Sequence, residues 1–179
     1  MKGKQGFSFK RAGLAGKKVL LLAAAGLLLF TQPAAAILQK GEPAPAIKLV
    51  TTSGQPLSLA NYRGYVLVMD FFATWCVPCR EAIPHLNALN MKYGKQGLQV
   101  LGVSVDDGGE RLVKNFLAEK RVNYPVAIAG EDMQTDYGLR SIPTIFVINK
   151  KGVIAERFQG YSDQTARAME ESIKRLLAE

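Results

Sequence analysis

Residues 65–79 read YVLVMDFFATWCVPC, and the rest of the chain can be read outward from them. From Tyr65 to Phe72 every position is apolar except Asp70, the composition of a strand covered on both faces. Helical spacing takes over after Cys76, with Ile83, Leu86 and Leu89 at three-residue steps and Gly94 as the expected stop. The two cysteines of the chain, Cys76 and Cys79, therefore stand where a buried strand gives way to a helix. Free backbone N–H groups and the positive end of the helix dipole at such a place stabilise a thiolate at Cys76. Pro78 is tolerated in the first turn, where its missing donor matters least. Cys79, nearly one turn on, lies on the same face and can close a disulfide with Cys76. One thiol can thus attack a substrate disulfide while the other resolves the mixed disulfide.

Other uses of two cysteines fit less well. A structural zinc site needs further ligands, and the chain has one histidine, His85, within the same helix. Covalent haem attachment requires a histidine after the second cysteine, where Arg80 stands. A permanently closed structural disulfide is the remaining alternative, although so small a loop constrains the unfolded chain rather little.

On the N-terminal side, Pro43 and Pro45 mark an extended lead-in, and Ile47–Thr51 and Pro56–Leu59 flank the turn pair Ser53-Gly54 as a short hairpin. A turn is expected at Asn61–Gly64. On the C-terminal side, Leu98–Val105 reads as a second buried strand. Glu110–Lys120 reads as a helix with Leu112, Val113, Phe116 and Leu117 on one face. Asp106 and Asp107 are expected to open a helix-capping loop. Val126–Ala129 suggests a short strand and Asp132–Gly138 a short helical turn. Thr144–Ile148 and Val153–Phe158 are strands around the hairpin signal Asn149-Lys150-Lys151-Gly152. Ala166, Met169, Ile173, Leu176 and Leu177 make a terminal amphipathic helix from Asp163 onward. Alternating strands and helices closed by a hairpin describe an α/β sandwich around a mixed central sheet.

These motifs together resemble the thioredoxin superfamily. VMDFFATWCVPC is similar to its strand-to-helix junction, Pro84 to its helix-interrupting proline, Ser141-Ile142-Pro143-Thr144 to its cis-proline loop, and Gly160 to the glycine closing its substrate groove. The hairpin, a strand–helix insertion over Leu98–Lys120 and the N-terminal segment described below resemble the TlpA/ResA-like branch. The resemblance implies a thioredoxin-like sandwich over residues 37–179, with an N-terminal β-hairpin and an inserted strand–helix unit. It implies that Asp70 is the buried acid that helps move the proton of the second cysteine. It also implies that Trp75, Val77, Pro78, Ile142, Pro143 and Gly160 form the substrate-binding surface. A carboxylate in an apolar strand should have a raised pKa, which suits a proton relay beside a thiol. Ile142-Pro143 is expected in the cis form, leaving the backbone of Ile142 to pair with a bound peptide. His85 reads as a solvated helix residue without a role.

Residues 1–18 carry six basic residues and no acid, Val19–Phe30 is an unbroken apolar run, and Ala34-Ala35-Ala36 offers small residues for a peptidase. Residues 1–36 therefore read as a secretory signal. The alternative is a retained anchor through residues 19–38. The formal charge of +8 is mostly a property of this segment: beyond it, 17 basic residues face 15 acidic ones, so the charge gives no footprint for nucleic acid. A hydrophobic fraction of 48% excludes a disordered chain, and two cysteines exclude a disulfide-stapled miniprotein.

The expectation is an extracytoplasmic thiol–disulfide oxidoreductase, in the periplasm or on the outer face of the cytoplasmic membrane. No cofactor or metal is expected beyond the redox-active Cys76–Cys79 disulfide. Its expected partners are disulfide-containing exported proteins, such as apocytochrome c or respiratory copper-site proteins, and a membrane thiol-transfer protein that supplies electrons. The alternative from another class is a thioredoxin-fold copper(I) chaperone holding the metal through Cys76 and Cys79.

Overall fold

The computed structural model describes residues 37–179. The segment 1–36 read as a secretory signal lies outside them, as does all but Ile37 and Leu38 of the alternative anchor. No helix among the described residues is long and apolar enough to cross a membrane.

The elements follow the chain as β1 (Lys48–Val50), β2 (Pro56–Ser58), β3 (Val66–Phe72), α1 (Val77–Tyr93), β4 (Leu98–Ser104) and α2 (Glu110–Glu119). They continue as β5 (Val126–Ile128), α3 (Glu131–Asp136), β6 (Thr144–Ile148), β7 (Ile154–Gln159) and α4 (Asp163–Ala178). Five strands form one mixed sheet in the order β5-β4-β3-β6-β7, and β1 pairs with β2 in a separate antiparallel hairpin. The apolar run that opened the sequence reading is the central strand, β3. It runs parallel to β4 and antiparallel to β6, and all seven of its residues are buried.

Alternation along β3 divides the core. Val66, Val68 and Phe72 face α1, α2 and α4, where they meet Leu86, Phe116, Met169 and Ile173. Leu67, Met69 and Phe71 face the other side, with Met133 and Tyr137 from the α3 region and Ile47, Leu57 and Leu59 from the hairpin region. Period-two packing places Asp70 on the first of these faces, the one covered by the helix that begins at the cysteines.

Other segments of the chain pair with the edge strand β5 and with the start of the edge strand β7, which shortens the open edges. On the β5 side the hairpin contributes the N–H of Thr52 to the carbonyl of Val126 at 2.7 Å. On the β7 side the lead-in runs antiparallel, with Gly41 donating to Ile154, Ile154 to Glu42 and Ala44 to Gly152.

Two local expectations hold and one is corrected. Gly94 ends α1 as expected: it is the C-cap residue, with φ −55°, followed by a 3-10 turn at Gly94–Gln96 and by Gly97 in the left-handed conformation at φ 103°. The turn expected at Asn61–Gly64 is also present: a 3-10 turn at Leu59–Tyr62 runs into it, and Gly64 has φ 86°. Leu112 does not share the buried face of Val113 and Phe116. It is 45% exposed, lying at the first turn of α2 over the backbone of Gly108.

Candidate active site

Cys76 is the N-cap of α1, and its sulfur accepts a hydrogen bond from the N–H of Cys79 at 3.2 Å. The two cysteines form a disulfide, with their Cα atoms 5.3 Å apart. Cys76 retains a small exposure of 5%, whereas Cys79 is fully enclosed. Of the two residues, only Cys76 has any contact with solvent. When the pair is reduced, the N–H of Cys79 is placed to donate to a Cys76 thiolate at the helix N-terminus. Pro78 lies in that turn as expected, and Pro84 inside α1 presents no N–H to the carbonyl of Arg80.

The residues expected to bind substrate gather at the same end of the sheet. β3 ends at Phe72, beside Ser104 at the end of β4, and Phe71 is paired with Thr144 at the start of β6. The Ile142–Pro143 bond, just before β6, is cis. Gly160, just after β7, has φ 74° and donates its N–H to the carbonyl of Pro143 at 2.8 Å. Among the described residues, no backbone hydrogen bond engages Ile142. Trp75 and Val77, on either side of Cys76, are 68% and 55% exposed. Large apolar side chains this exposed flank the cysteine at the head of α1.

Asp70 lies two residues before the end of β3, on the face covered by α1. It is fully buried, and neither carboxyl oxygen has a hydrogen-bond partner. Burial without a compensating donor pushes its pKa up from the usual 3.8 to about 7. The carboxyl is thus protonated in mildly acidic solution and able to take up or release a proton near neutrality.

Asp106 corrects the sequence reading. It does not open a cap for α2, whose N-cap is Gly109 with no side-chain hydrogen bond. It is buried instead, and its carboxylate accepts from the N–H of Thr74 at 3.0 Å, the hydroxyl of Thr74 at 2.7 Å and the hydroxyl of Ser104 at 2.7 Å. Asp106 therefore fixes the loop that carries Trp75 into Cys76. Asp106→Ala strands those donors, and hydrogen bonds to a charged group contribute about 1.5–3 kcal/mol each. The expected result is a loss of about 3 kcal/mol in urea unfolding, together with slower disulfide reduction. An unchanged unfolding midpoint would contradict a bracing role.

His85 also departs from expectation. It is half-buried, with its ring 6.3 Å from that of Tyr161 and Nε2 lacking a partner. Burial lowers its pKa, an effect opposed by the nearby Glu170. Sequence reasoning missed Thr74 and Tyr124 at the site. The Ser104-x-Asp106 spacing at the end of a buried strand was the available signal for the bracing contact.

Comparison with known proteins agrees with this geometry. The redoxin family pattern matches residues 39–177. The chain is 32% identical over 138 residues to thiol-disulfide oxidoreductase ResA of Bacillus thuringiensis subsp. konkukian, covering 76% of this chain and 78% of that protein. Among solved structures it resembles thiol:disulfide interchange protein DsbE from Chlorobium tepidum, with a TM-score of 0.74 and 31% identity over 78% of this chain and 99% of that one. It is also similar to an exposed lipoprotein thioredoxin from Streptococcus pneumoniae, with a TM-score of 0.65 and 25% identity over 74% of this chain and all of that one. With a reactive cysteine pair at the head of a helix in a thioredoxin-like sheet, the chain belongs to the redoxin family and is a ResA-like thiol–disulfide oxidoreductase.

Proposed function

We propose that this oxidoreductase works outside the cytoplasm as a reductase of disulfides in exported proteins. Apocytochrome c and proteins that build respiratory copper sites are the substrates proposed. The observation that carries the reading is the asymmetric cysteine pair: Cys76 slightly exposed at a helix N-terminus, Cys79 fully enclosed, with a buried acid on the adjoining sheet face. The Cys76 thiolate attacks one sulfur of the substrate disulfide, forms a mixed disulfide and releases the other substrate sulfur as a thiolate. Cys79 then gives its proton to Asp70 and attacks the Cys76 sulfur. The second substrate sulfur leaves, two electrons have passed to the substrate, and the Cys76–Cys79 disulfide remains.

The basic and apolar character of residues 1–36 supports an extracytoplasmic setting. Val77-Pro78 between the cysteines, with no histidine before Cys79, supports the reducing direction. In an oxidising compartment the disulfide must be reopened from inside the cell, so a membrane thiol-transfer protein is the proposed electron donor. Trp75, Val77, Pro78, Ile142, Pro143 and Gly160 are proposed to hold the substrate segment, which pairs with the free backbone groups of Ile142 as an added strand.

The copper(I) chaperone reading would use the same two sulfurs. Among the described residues no three His, Cys, Asp or Glu side chains stand together, so the pair would have to hold copper without a third donor of that kind. The test is reduction of insulin by the reduced protein, recycled by a small thiol, with and without a metal chelator. Turnover that persists with chelator is expected. Tight copper binding without turnover would overturn the reductase reading.

A further inference from the structure

Asp70 lacks a hydrogen-bond partner, and its flanking strands leave room for another group beside it. Its register partner on β6 is Ile145, and its register partner on β4 is Gly102. Residues directly opposite on neighbouring strands project to the same face, so the missing side chain of Gly102 opens a gap beside the carboxyl. That gap is filled. A Cβ on Gly102 would lie 2.9 Å from Cγ2 of Val126, 3.2 Å from Cε1 of Phe72 and 3.3 Å from Cε2 of Tyr124. Tyr124 sits on the connection from α2 to β5, is 8% exposed, and places its ring edge at the Gly102 position opposite Asp70.

That connection is held firmly. The N–H of Asn123 donates to Oδ1 of Asn87 at 3.0 Å, and Nδ2 of Asn90 donates to the carbonyl of Asn123 at 3.0 Å, both from α1. The side chains facing Asp70 from β3, β4, β5 and β6 carry no charge. The titratable groups packed on this face are the phenols of Tyr93, Tyr124 and Tyr161, the imidazole of His85 and, when reduced, the α1 cysteines. Burial and the Asp70 charge together hold the Tyr124 phenol well above its usual pKa, so it stays neutral under working conditions.

We propose that Tyr124 is a positioning residue of the thiol–disulfide reaction: its ring, seated in the space left by Gly102, keeps water off the carboxyl that receives the proton of Cys79. The proposal rests on the reading of Asp70 as proton acceptor, but it makes a separate claim about what surrounds that acid. With the ring in place, the carboxyl is desolvated. Without it, water reaches the carboxyl and favours the ionised form.

The test is carbon-13 NMR titration of the Asp70 carboxyl in the oxidised full-length protein, for wild type, Tyr124→Phe, Tyr124→Leu and Tyr124→Ala. Tyr124→Phe keeps the ring and should titrate with wild type. Tyr124→Ala should shift the midpoint down by at least one pH unit, a tenfold loss of proton affinity, with Tyr124→Leu between them. Tyr124→Leu provides the comparison if the alanine variant does not fold. The acid limb of the pH–rate profile for product release should move by the same amount. A midpoint unmoved in both truncated variants would overturn the proposal, as would an equal fall in Tyr124→Phe. A midpoint that moves while the rates do not would leave the shielding role standing and reject Asp70 as the base.

Discussion

Replacing Cys76 with serine is expected to bring disulfide reduction down to the uncatalysed background, whereas Cys79→Ser should accumulate a covalent adduct with substrate. The reasoning is one of access and order. On the proposed reading Cys76 meets the incoming disulfide, being the less enclosed of the two and occupying the N-cap where backbone donors favour the thiolate. A hydroxyl there cannot attack a disulfide, because serine is not ionised at working pH and oxygen forms no stable bond with sulfur in its place. With Cys79 replaced, the first step proceeds and the second has no attacking thiol, so the mixed disulfide persists until an external thiol removes it. Mass spectrometry of non-reduced samples after mixing with a peptide disulfide reads both results. Adduct formation by the Cys76 variant alone would reverse the two roles.

The second large effect belongs to Asp70→Asn, and its sign depends on pH. Below about pH 4 the carboxyl is protonated in both folded and unfolded chains and imposes no ionisation penalty. Between that range and about pH 7, the unfolded chain loses the proton while the folded chain keeps it, so wild-type stability falls as pH rises. The difference between 3.8 and about 7 corresponds to roughly 4 kcal/mol once both states are ionised. Asn has no charge to bury, so its advantage over wild type should be small at pH 4, grow through neutrality and level off by pH 8. Urea unfolding of the oxidised protein at several pH values measures this directly.

The same substitution should slow product release, because Cys79 loses its proton acceptor. Stopped-flow reduction of a peptide disulfide from pH 5 to 9 should show wild-type rates rising through the Asp70 midpoint and a flatter, lower profile for Asp70→Asn. Equal stability gains at pH 4 and pH 8 would reject ionisation as their cause. Superimposable pH–rate curves would leave Asp70 with a packing role alone.

The parts of this protein legible in its sequence are those set by local patterning. β3 could be read because both its faces are apolar, and α1 because Ile83, Leu86 and Leu89 follow a proline-tolerant first turn. The β6–β7 hairpin followed from Asn149-Lys150-Lys151-Gly152, and the structure bends there with Gly152 at φ 75°. The cysteine spacing, together with the strand before it, located the reactive centre. Contacts made across the chain were not legible. Asp106 stands 32 residues from Thr74, and the strand ends that bring them together are fixed by the parallel register of β3 and β4. A carboxylate just before a helix invited a capping assignment, but burial beside Thr74 offers it three donors where the helix would offer fewer. Tyr124 was invisible for a related reason: its value lies in Gly102, whose missing side chain matters only because it falls opposite Asp70.

The central claim is that the Cys76–Cys79 pair delivers electrons to substrate disulfides, and equilibrium against defined thiol–disulfide buffers tests it most directly. The fraction of protein in the Cys76–Cys79 disulfide would be measured across mixtures of reduced and oxidised glutathione, and of dithiothreitol where glutathione cannot reach. The account predicts a reduction potential below about −200 mV, on the thioredoxin side of the disulfide oxidoreductases. A potential near −120 mV, where a pair oxidises its partners instead, would contradict it.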